Sequence, residues 1–187
     1  MSNSRRPDAD GAAVTEADLR AAGLRYVARY AASRRKVEHA LVRHVRRVSG
    51  VAPSGDEQVI IERCLNDFVA AGYIDEPASA ASAVRRLRAS GRSRRFIEAK
   101  LAAAGYPAEV VSDAFDGEDS DVDGDAEWRA ACTFARKHRL GPFQSAGAPD
   151  AERARGLARM ARAGFPYEIV RRLFATDACT PDGDDAR

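Results

Sequence analysis

Two pairs of internally repeated segments constrain the fold of this 187-residue chain more than any other feature. Residues 33–41 read SRRKVEHAL and residues 93–101 read SRRFIEAKL, while residues 103–111 read AAGYPAEVV and residues 162–170 read RAGFPYEIV. In the second pair, a glycine suited to a helix end is followed after one aromatic residue by a proline suited to a helix start, which predicts a rigid corner. Repeated helical units cover one another's apolar faces, so the repeats predict a row of stacked units.

The spacing of apolar residues predicts helices along most of the chain. The clearest stripe contains Val37, Leu41, Val45 and Val48, and the neighbouring helices place Tyr30 and Val69 on their core faces. We predict nine helices, which start at Thr15, Ser33, Asp56, Glu76 or Pro77, Ser93, Pro107, near Trp128, at Pro149 or Asp150, and at Pro166. The fold is therefore predicted to be all-α, an elongated, curved array of three tandem three-helix repeats.

The predicted organisation contains three repeats, one linker and two tails. The repeats span residues 15–74, 75–115 and 126–175, an acidic linker spans residues 116–125, and residues 1–14 and 176–187 are expected to be disordered. Charge follows this division, with 17 Lys and Arg against 9 Asp and Glu from Arg20 to Val111, and 8 acids with no base from Ser112 to Glu127. Two basic bodies joined by an acidic strap favour a polyanionic or acidic partner.

Cysteine usage and hydropathy indicate the compartment. Cys64, Cys132 and Cys179 are scattered without paired spacing, which is typical of free thiols in a reducing environment. The N-terminus is polar, and no apolar run approaches the length needed to span a membrane. We therefore expect a soluble, cytoplasmic monomer.

Arginine pairs begin two of the predicted helices. Basic residues in a first turn oppose the helix dipole, at a cost of about 0.3–1 kcal/mol. One interpretation is internal: Glu38 and Glu98 follow Arg34 and Arg94 by four residues and could offset that cost. The other is functional: the helix amides and arginines together form a seat for a carboxylate or phosphate. The candidate partner-binding residues are Arg34, Arg35, Arg85, Arg86, Arg88, Arg92, Arg94 and Arg95.

Patterns typical of catalysis or of a cofactor are absent from the sequence. His39 and His44 are five residues apart, and His138 has no second Cys or His beside Cys132 in a metal-binding pattern. The acidic strap resembles the first half of a calcium loop from Asp119, but Ala130 occupies the position of the required bidentate Glu. We therefore expect no metal, no cofactor and no enzymatic activity. The strap is interpreted as a solvated linker, or as a segment that folds back and screens the basic face.

The order of motifs resembles the RecX family of bacterial recombination regulators. The resemblance lies in SRRKVEHAL, DFVAAGYIDE and VRRLRASGRSRRFIEAKLAAAGYPAEVV, and it covers residues 19–115 well and residues 128–174 more loosely. It implies tandem three-helix repeats and a protein that binds RecA–single-stranded-DNA filaments and inhibits the recombinase without catalysis of its own. One departure is that Ala78, Ser79 and Ala80 stand where the family usually has Arg, an aromatic residue and Ala, which removes a packing anchor.

A stand-alone DNA-binding protein of helix-turn-helix type is the alternative function. The turn at Gly105 has a suitable length, but the following helix carries Glu109 and Asp113 and no base. Recognition helices need donors such as Arg, Lys, Asn or Gln near their N-terminus. The leading prediction is therefore a regulator whose partners are the RecA filament and single-stranded-DNA phosphates.

Overall fold

The described part of the chain is α-helical. The computed structural model describes residues 14–119, 126–144 and 150–175, and within these ranges it contains nine α-helices, one short 3₁₀ helix and no strand. The helices are α1 (Glu16–Val27), α2 (Arg34–Ser49), α3 (Gly55–Ala70), α4 (Glu76–Ala89), α5 (Arg94–Ala103), α6 (Ala108–Asp119), α7 (Ala126–His138), α8 (Asp150–Arg162) and α9 (Tyr167–Ala175), with the 3₁₀ helix at Gly141–Phe143. The prediction of an all-α fold is confirmed.

Three separate apolar cores underlie the helices. The first is built from residues between Val14 and Ile74, the second from residues between Ala80 and Phe115, and the third from residues between Ala130 and Phe174. The chain divides into two compact units, which meet at Glu76 and Pro77. Unit 1 contains the first core and unit 2 contains the other two, which is consistent with one core for each predicted repeat.

Side-chain caps fix where several helices begin. Thr15 forms a capping box with Asp18, as predicted, and Ser33 and Ser93 accept hydrogen bonds from amides of their own first turns. The prediction of Asp56 as the N-cap of α3 is wrong, because Ser54 occupies that position and forms a capping box with Glu57. Ser54 lies two positions before Asp56, and its hydroxyl accepts a hydrogen bond from the amide of Glu57, the third residue of the helix.

Three predicted core positions face solvent. Val48 and Val69 are exposed, and Tyr30 lies beyond the end of α1 with 48% of its surface accessible. At Val48 the apolar stripe of α2 has already turned away from the core, since Val45 is the last fully buried residue of that helix. Towards the acidic strap, α6 continues to Asp119, and residues 120–125 lie outside the described ranges. The C-terminal tail predicted for residues 176–187 and residues 1–13 of the N-terminal tail predicted for residues 1–14 also lie outside them. The last residue of that N-terminal tail, Val14, is buried in the first core.

The cysteines differ from the expectation of free thiols. Cys64 is free and buried, and burial raises the pKa of its thiol. Cys132 is disulfide-bonded, so the expectation of a free thiol is wrong for that residue, and Cys179 lies outside the described ranges. Sequence spacing misses such a bond because disulfide formation depends on the distance between cysteines in the folded chain.

The two repeated corners have the predicted backbone. Gly105 and Gly164 have φ angles of +83° and +90°, a conformation that side chains with a Cβ rarely adopt. The aromatic residue that follows each glycine is buried, Tyr106 in the second core and Phe165 in the third. The hydroxyl of Tyr106 is 2.9 Å from Oγ of Ser79, and both groups are buried. The serine that replaces the expected aromatic residue is therefore hydrogen-bonded to the corner.

Candidate partner-binding surface

The repeated Ser-Arg-Arg segments adopt the same local structure in both copies. Ser33 and Ser93 have identical backbone angles, with φ −67° and ψ 155°, and both are fully buried. The first arginine of each pair begins the helix, and the second arginine, Arg35 or Arg95, is exposed. A shared conformation explains why the chain repeats this segment, because the cap and the helix start are one structural unit.

The first arginine of unit 1 is anchored by neighbouring side chains. The Arg34 amide donates a 2.9 Å hydrogen bond to the carboxylate of Glu76, at the start of α4. The Arg34 guanidinium contacts Glu62 and Asn66 of α3, each at 2.8 Å. The anion seat predicted at this helix start is therefore occupied by a carboxylate of the chain itself, which also complements the helix dipole.

The corresponding arginine of unit 2 is anchored in the same way. The Arg94 amide lies 3.2 and 3.0 Å from the two carboxylate oxygens of Glu127, at the start of α7. Its Nε atom donates to Glu98 at 2.8 Å, which is the predicted contact between residues four apart. The guanidinium also stacks over the ring of Phe115, with 4.5 Å to the ring centroid. Arg94 is thus engaged along its whole length.

Arg88 is buried, which makes it unsuitable as a direct partner contact. It is only 7% exposed, and its Nη1 atom pairs with the same Glu127 carboxylate that caps α5. Its guanidinium lies 5.2 Å from the centroid of Phe115. A charge removed from water needs such partners, because desolvation costs several kcal/mol for each ion. Its assignment to the partner-binding set was based on charge density, and burial cannot be read from that density.

Five of the eight predicted arginines are exposed: Arg35, Arg85, Arg86, Arg92 and Arg95. Arg92 stacks over the ring of Phe96 at 4.8 Å from the centroid, and both side chains are open to solvent. Exposed arginines beside exposed aromatic residues are the residue types most enriched at the energetic centres of protein interfaces. The exposed members therefore form the better-supported part of the predicted set.

Two clefts flank the start of α5 within unit 2. The first encloses about 790 Å³, and its lining includes Arg95, Glu98 and Tyr167, the last of which is 73% exposed. The second encloses about 600 Å³ and is lined by Arg92, Arg159, Arg162, Phe96 and His138, among others. Arg159 donates to Nδ1 of His138 at 2.8 Å, and burial, followed by the Arg159 charge, lowers the pKa of that imidazole. We call the exposed side chains of Arg92, Arg95, Phe96 and Tyr167 the α5 surface.

Comparison with known proteins identifies the family. No protein-family model matches the chain. The regulatory protein RecX of Myxococcus xanthus (strain DK1622) is 37% identical over 158 residues, which cover 83% of each chain. The chain belongs to the RecX family. The regulatory protein RecX of Agrobacterium fabrum (strain C58) is 31% identical over 102 residues, 54% of this chain and 52% of that protein.

Solved structures of RecX proteins share the fold. The crystal structure of RecX from Lactobacillus salivarius superposes with a TM-score of 0.65 at 20% identity, covering 86% of this chain and 94% of that chain. A second crystal structure of regulatory protein RecX gives 0.64 at 17% identity, covering 94% and 83%. The resemblance of the motifs to the RecX family is confirmed, and the helical architecture is that of solved RecX structures.

The alternative of a helix-turn-helix reader gains nothing from the RecX-family fold. Glu109, Asp113 and Asp116 are all exposed on α6, the helix that would have to read DNA, and this helix contains no Lys or Arg. Within the described ranges there is no cluster of three or more potential metal ligands, and no helix there is both long and apolar enough to cross a membrane. The partial calcium-loop pattern falls mainly on residues 120–125, outside those ranges.

The two carboxylates that cap α2 and α5 were not predicted from the sequence. Glu76 lies in the first turn of α4 and accepts a hydrogen bond from the amide of Arg34, 42 residues earlier. Glu127 lies in the first turn of α7 and accepts one from the amide of Arg94, 33 residues earlier. The available signal was their common position, since each stands three residues before a small residue of the core, Ser79 or Ala130. Alignment of the repeats on their first helices would have exposed it.

Proposed function

We propose that this RecX-family protein binds the RecA–single-stranded-DNA filament and inhibits its ATPase and recombinase activities, and that it thereby acts in recombination, DNA repair and the SOS response. Membership of a family of regulatory proteins supports this function, as does the absence of a catalytic pattern in the sequence. The observation that carries the proposal is the α5 surface, where exposed Arg92 and Arg95 line two clefts beside exposed aromatic side chains. An acidic protein surface or exposed phosphates fit that arrangement.

The predicted arginines divide into two roles under this proposal. Arg34 and Arg88 join different helices through ion pairs with Glu62 and Glu127, and the Arg94 side chain pairs with Glu98 of its own helix. The exposed arginines act as contacts with the filament: Arg35, Arg85, Arg86, Arg92 and Arg95. The division matters for mutagenesis, because reversal of Arg94 damages the fold and the surface together.

The test is ATP hydrolysis by RecA on single-stranded DNA in the presence of this protein. We expect inhibition at equimolar or lower ratios, and an Arg92→Glu/Arg95→Glu double variant should lose at least about tenfold in inhibitory potency, since a charged interface contact is worth roughly 1–3 kcal/mol. Helicity and unfolding midpoint should remain at wild-type values, because neither arginine makes an internal ion pair with another described residue.

Arg155→Glu/Arg171→Glu is the matched control, because it also reverses two exposed charges and both lie outside the two clefts. Arg171 is exposed on α9, its only described ion pair is with the exposed Glu168, and it lines neither cleft. This control variant should inhibit as well as the wild type does. Equal loss in the control would mean that net charge alone drives the effect, and no inhibition by the wild-type protein at any ratio would reject the proposed function.

A further inference from the structure

A second basic surface lies in unit 1, and none of the predicted partner-binding arginines lines it. It is a cleft of about 620 Å³ between α1 and α2 whose lining includes five exposed arginines and no carboxylate: Arg25, Arg29, Arg43, Arg46 and Arg47. We call these five side chains, together with Tyr26 and Tyr30, the α1–α2 surface. None of the five makes an ion pair with another described residue, whereas Arg20 and Arg63 of the same unit pair with Asp67 and Glu16.

Structural reasons account for only part of this charge. Arg25 lies in the last turn of α1, and Arg46 and Arg47 lie in the last turn of α2, where positive charge complements the helix dipole. Arg29 lies beyond the end of α1, and Arg43 lies inside α2, so the dipole explains neither. Five like charges around one cleft repel one another, and a bound polyanion would relieve that repulsion.

The aromatic side chains distinguish the kind of polyanion. Tyr30 leaves 48% of its surface exposed and packs at 5.2 Å from the ring of Tyr26, at an interplanar angle of 49°. The guanidinium of Arg29 lies 5.6 Å from the centroid of the Tyr30 ring. An exposed ring beside arginines that follow a groove is the arrangement that binds single-stranded nucleic acid, since bases stack on the ring and phosphates meet the arginines. An acidic peptide would use the arginines alone.

His44 supports a role for phosphate at the same place. Its Nδ1 atom is 2.9 Å from Nη2 of Arg47, and since a guanidinium only donates, the imidazole nitrogen accepts this hydrogen bond. Burial lowers the pKa of His44, the charges of Arg47 and Arg25 lower it further, and Asp18 opposes them. A phosphate bound among these groups would favour the protonated imidazole and add one more positive charge to the cleft.

We propose that the α1–α2 surface binds single-stranded nucleic acid directly, with a base stacked on Tyr30 and backbone phosphates held by Arg43, Arg46 and Arg47. This surface shares no residue with the α5 surface, and its binding requires no recombinase. It therefore goes beyond the proposed function and can fail or succeed independently of it.

The experiment measures fluorescence anisotropy of a labelled oligothymidylate with the full chain alone, over a series of salt concentrations. Tyr30→Ala should weaken binding by about tenfold, as expected for a lost stacking platform, whereas Tyr30→Phe should retain wild-type affinity. Arg43→Gln/Arg47→Gln should lower the slope of log affinity against log salt by about 1.4, since each phosphate contact contributes about 0.7 for a single strand. Arg155→Gln/Arg171→Gln removes two exposed charges that line none of the three clefts, and it should leave both quantities unchanged.

Several results would overturn the proposal. They are an absence of binding at low salt, equal affinity of Tyr30→Ala and wild type, and equally tight binding of a polyglutamate of matched charge, which would identify an acidic protein as the partner. Inhibition of the RecA ATPase, measured on the same variants, keeps the two proposals apart. If Tyr30→Ala loses oligonucleotide binding while Arg92→Glu/Arg95→Glu retains full ATPase inhibition, the α1–α2 surface stands and the assignment of the α5 surface is rejected.

Discussion

Replacement of Glu127 tests how the second and third helical groups, which together form unit 2, are joined. This carboxylate caps α5 through the Arg94 amide and also pairs with Arg88, and four-fifths of its side chain is removed from water. Glu127→Ala removes both interactions at once. Loss of one partner of a buried ion pair typically costs roughly 3–5 kcal/mol, and loss of a helix cap costs about 1 kcal/mol. We therefore expect unit 2 to lose roughly 4 kcal/mol of unfolding free energy.

Glu76→Ala provides a matched control in unit 1. Glu76 makes the same bond to the Arg34 amide, but the guanidinium of Arg34 is half-buried and contacts Glu62 and Asn66 instead. The expected loss is about 1 kcal/mol, the value of the cap. The difference of about 3 kcal/mol between the two variants isolates the contribution of the buried Arg88.

Trp128 offers a local probe for the measurement. It is the single tryptophan of the chain, it adjoins Glu127 in α7, and the Arg172 guanidinium lies 4.1 Å from its ring centroid. Urea unfolding followed by its fluorescence therefore reports on unit 2, and far-UV circular dichroism reports on the whole chain. With an m-value of about 2 kcal/mol per molar urea, Glu127→Ala should lower the unit 2 midpoint by about 2 M.

A double variant checks the mechanism. In Arg88→Met/Glu127→Gln the buried charge pair is replaced by neutral side chains of similar length, and such replacements are often neutral or stabilising. The double variant should therefore be more stable than Glu127→Ala. The reasoning is refuted if Glu127→Ala loses no more stability than Glu76→Ala, or if removal of the Arg88 charge gives no recovery.

Three further perturbations test packing, hydrogen bonding and protonation. Ser79→Ala should cost about 1–3 kcal/mol because it strands the buried Tyr106 hydroxyl, and adding Tyr106→Phe should recover much of that loss, which a double-mutant cycle in urea measures. Gly23→Ala should destabilise the chain by about 1–3 kcal/mol because its Cβ would overlap the Phe68 ring. Gly117→Ala, whose Cβ meets nothing within 4 Å, should be neutral or stabilising, and thermal unfolding distinguishes the two. His44 has a lowered pKa in the folded state, so the unfolded chain binds more protons below about pH 6.5. The free energy of unfolding should therefore fall on acidification, and the fall should be smaller in His44→Asn. Equal pH dependence of the two proteins would contradict this.

The third repeat shows the same corner without the hydroxyl pair. Ala130 stands three residues after Glu127, as Ser79 stands three residues after Glu76, and Phe165 stands where the second repeat has Tyr106. Ala130 and Phe165 are both buried in the third core. Both hydrogen-bonding groups are thus present in one repeat and both are absent in the other. This agrees with the physical rule that loss of one partner costs more than loss of both.

Much of the fold could be predicted because its signals are local. Caps such as Ser33 and Ser93 bond amides three residues away, and glycines at the corners need only their own backbone angles. The same locality explains the error at Asp56. Ser54 and Asp56 are two residues apart and both are residue types that cap helices, but Ser54 forms the capping box with Glu57. Val48 and Val69 satisfied the helical spacing but lay at the edges of their stripes, where spacing does not distinguish core from rim.

Local signals in the sequence were enough to predict most of the helices and the family, because hydrogen bonds within helices and apolar spacing act over three or four residues. The roles of the arginines depend on packing between helices. Arg88 and Arg95 look alike in a basic stretch of sequence, yet one is buried against Glu127 and the other faces solvent. The carboxylate that pairs with the buried guanidinium of Arg88 lies 39 positions away in the chain, and only packing brings the two together.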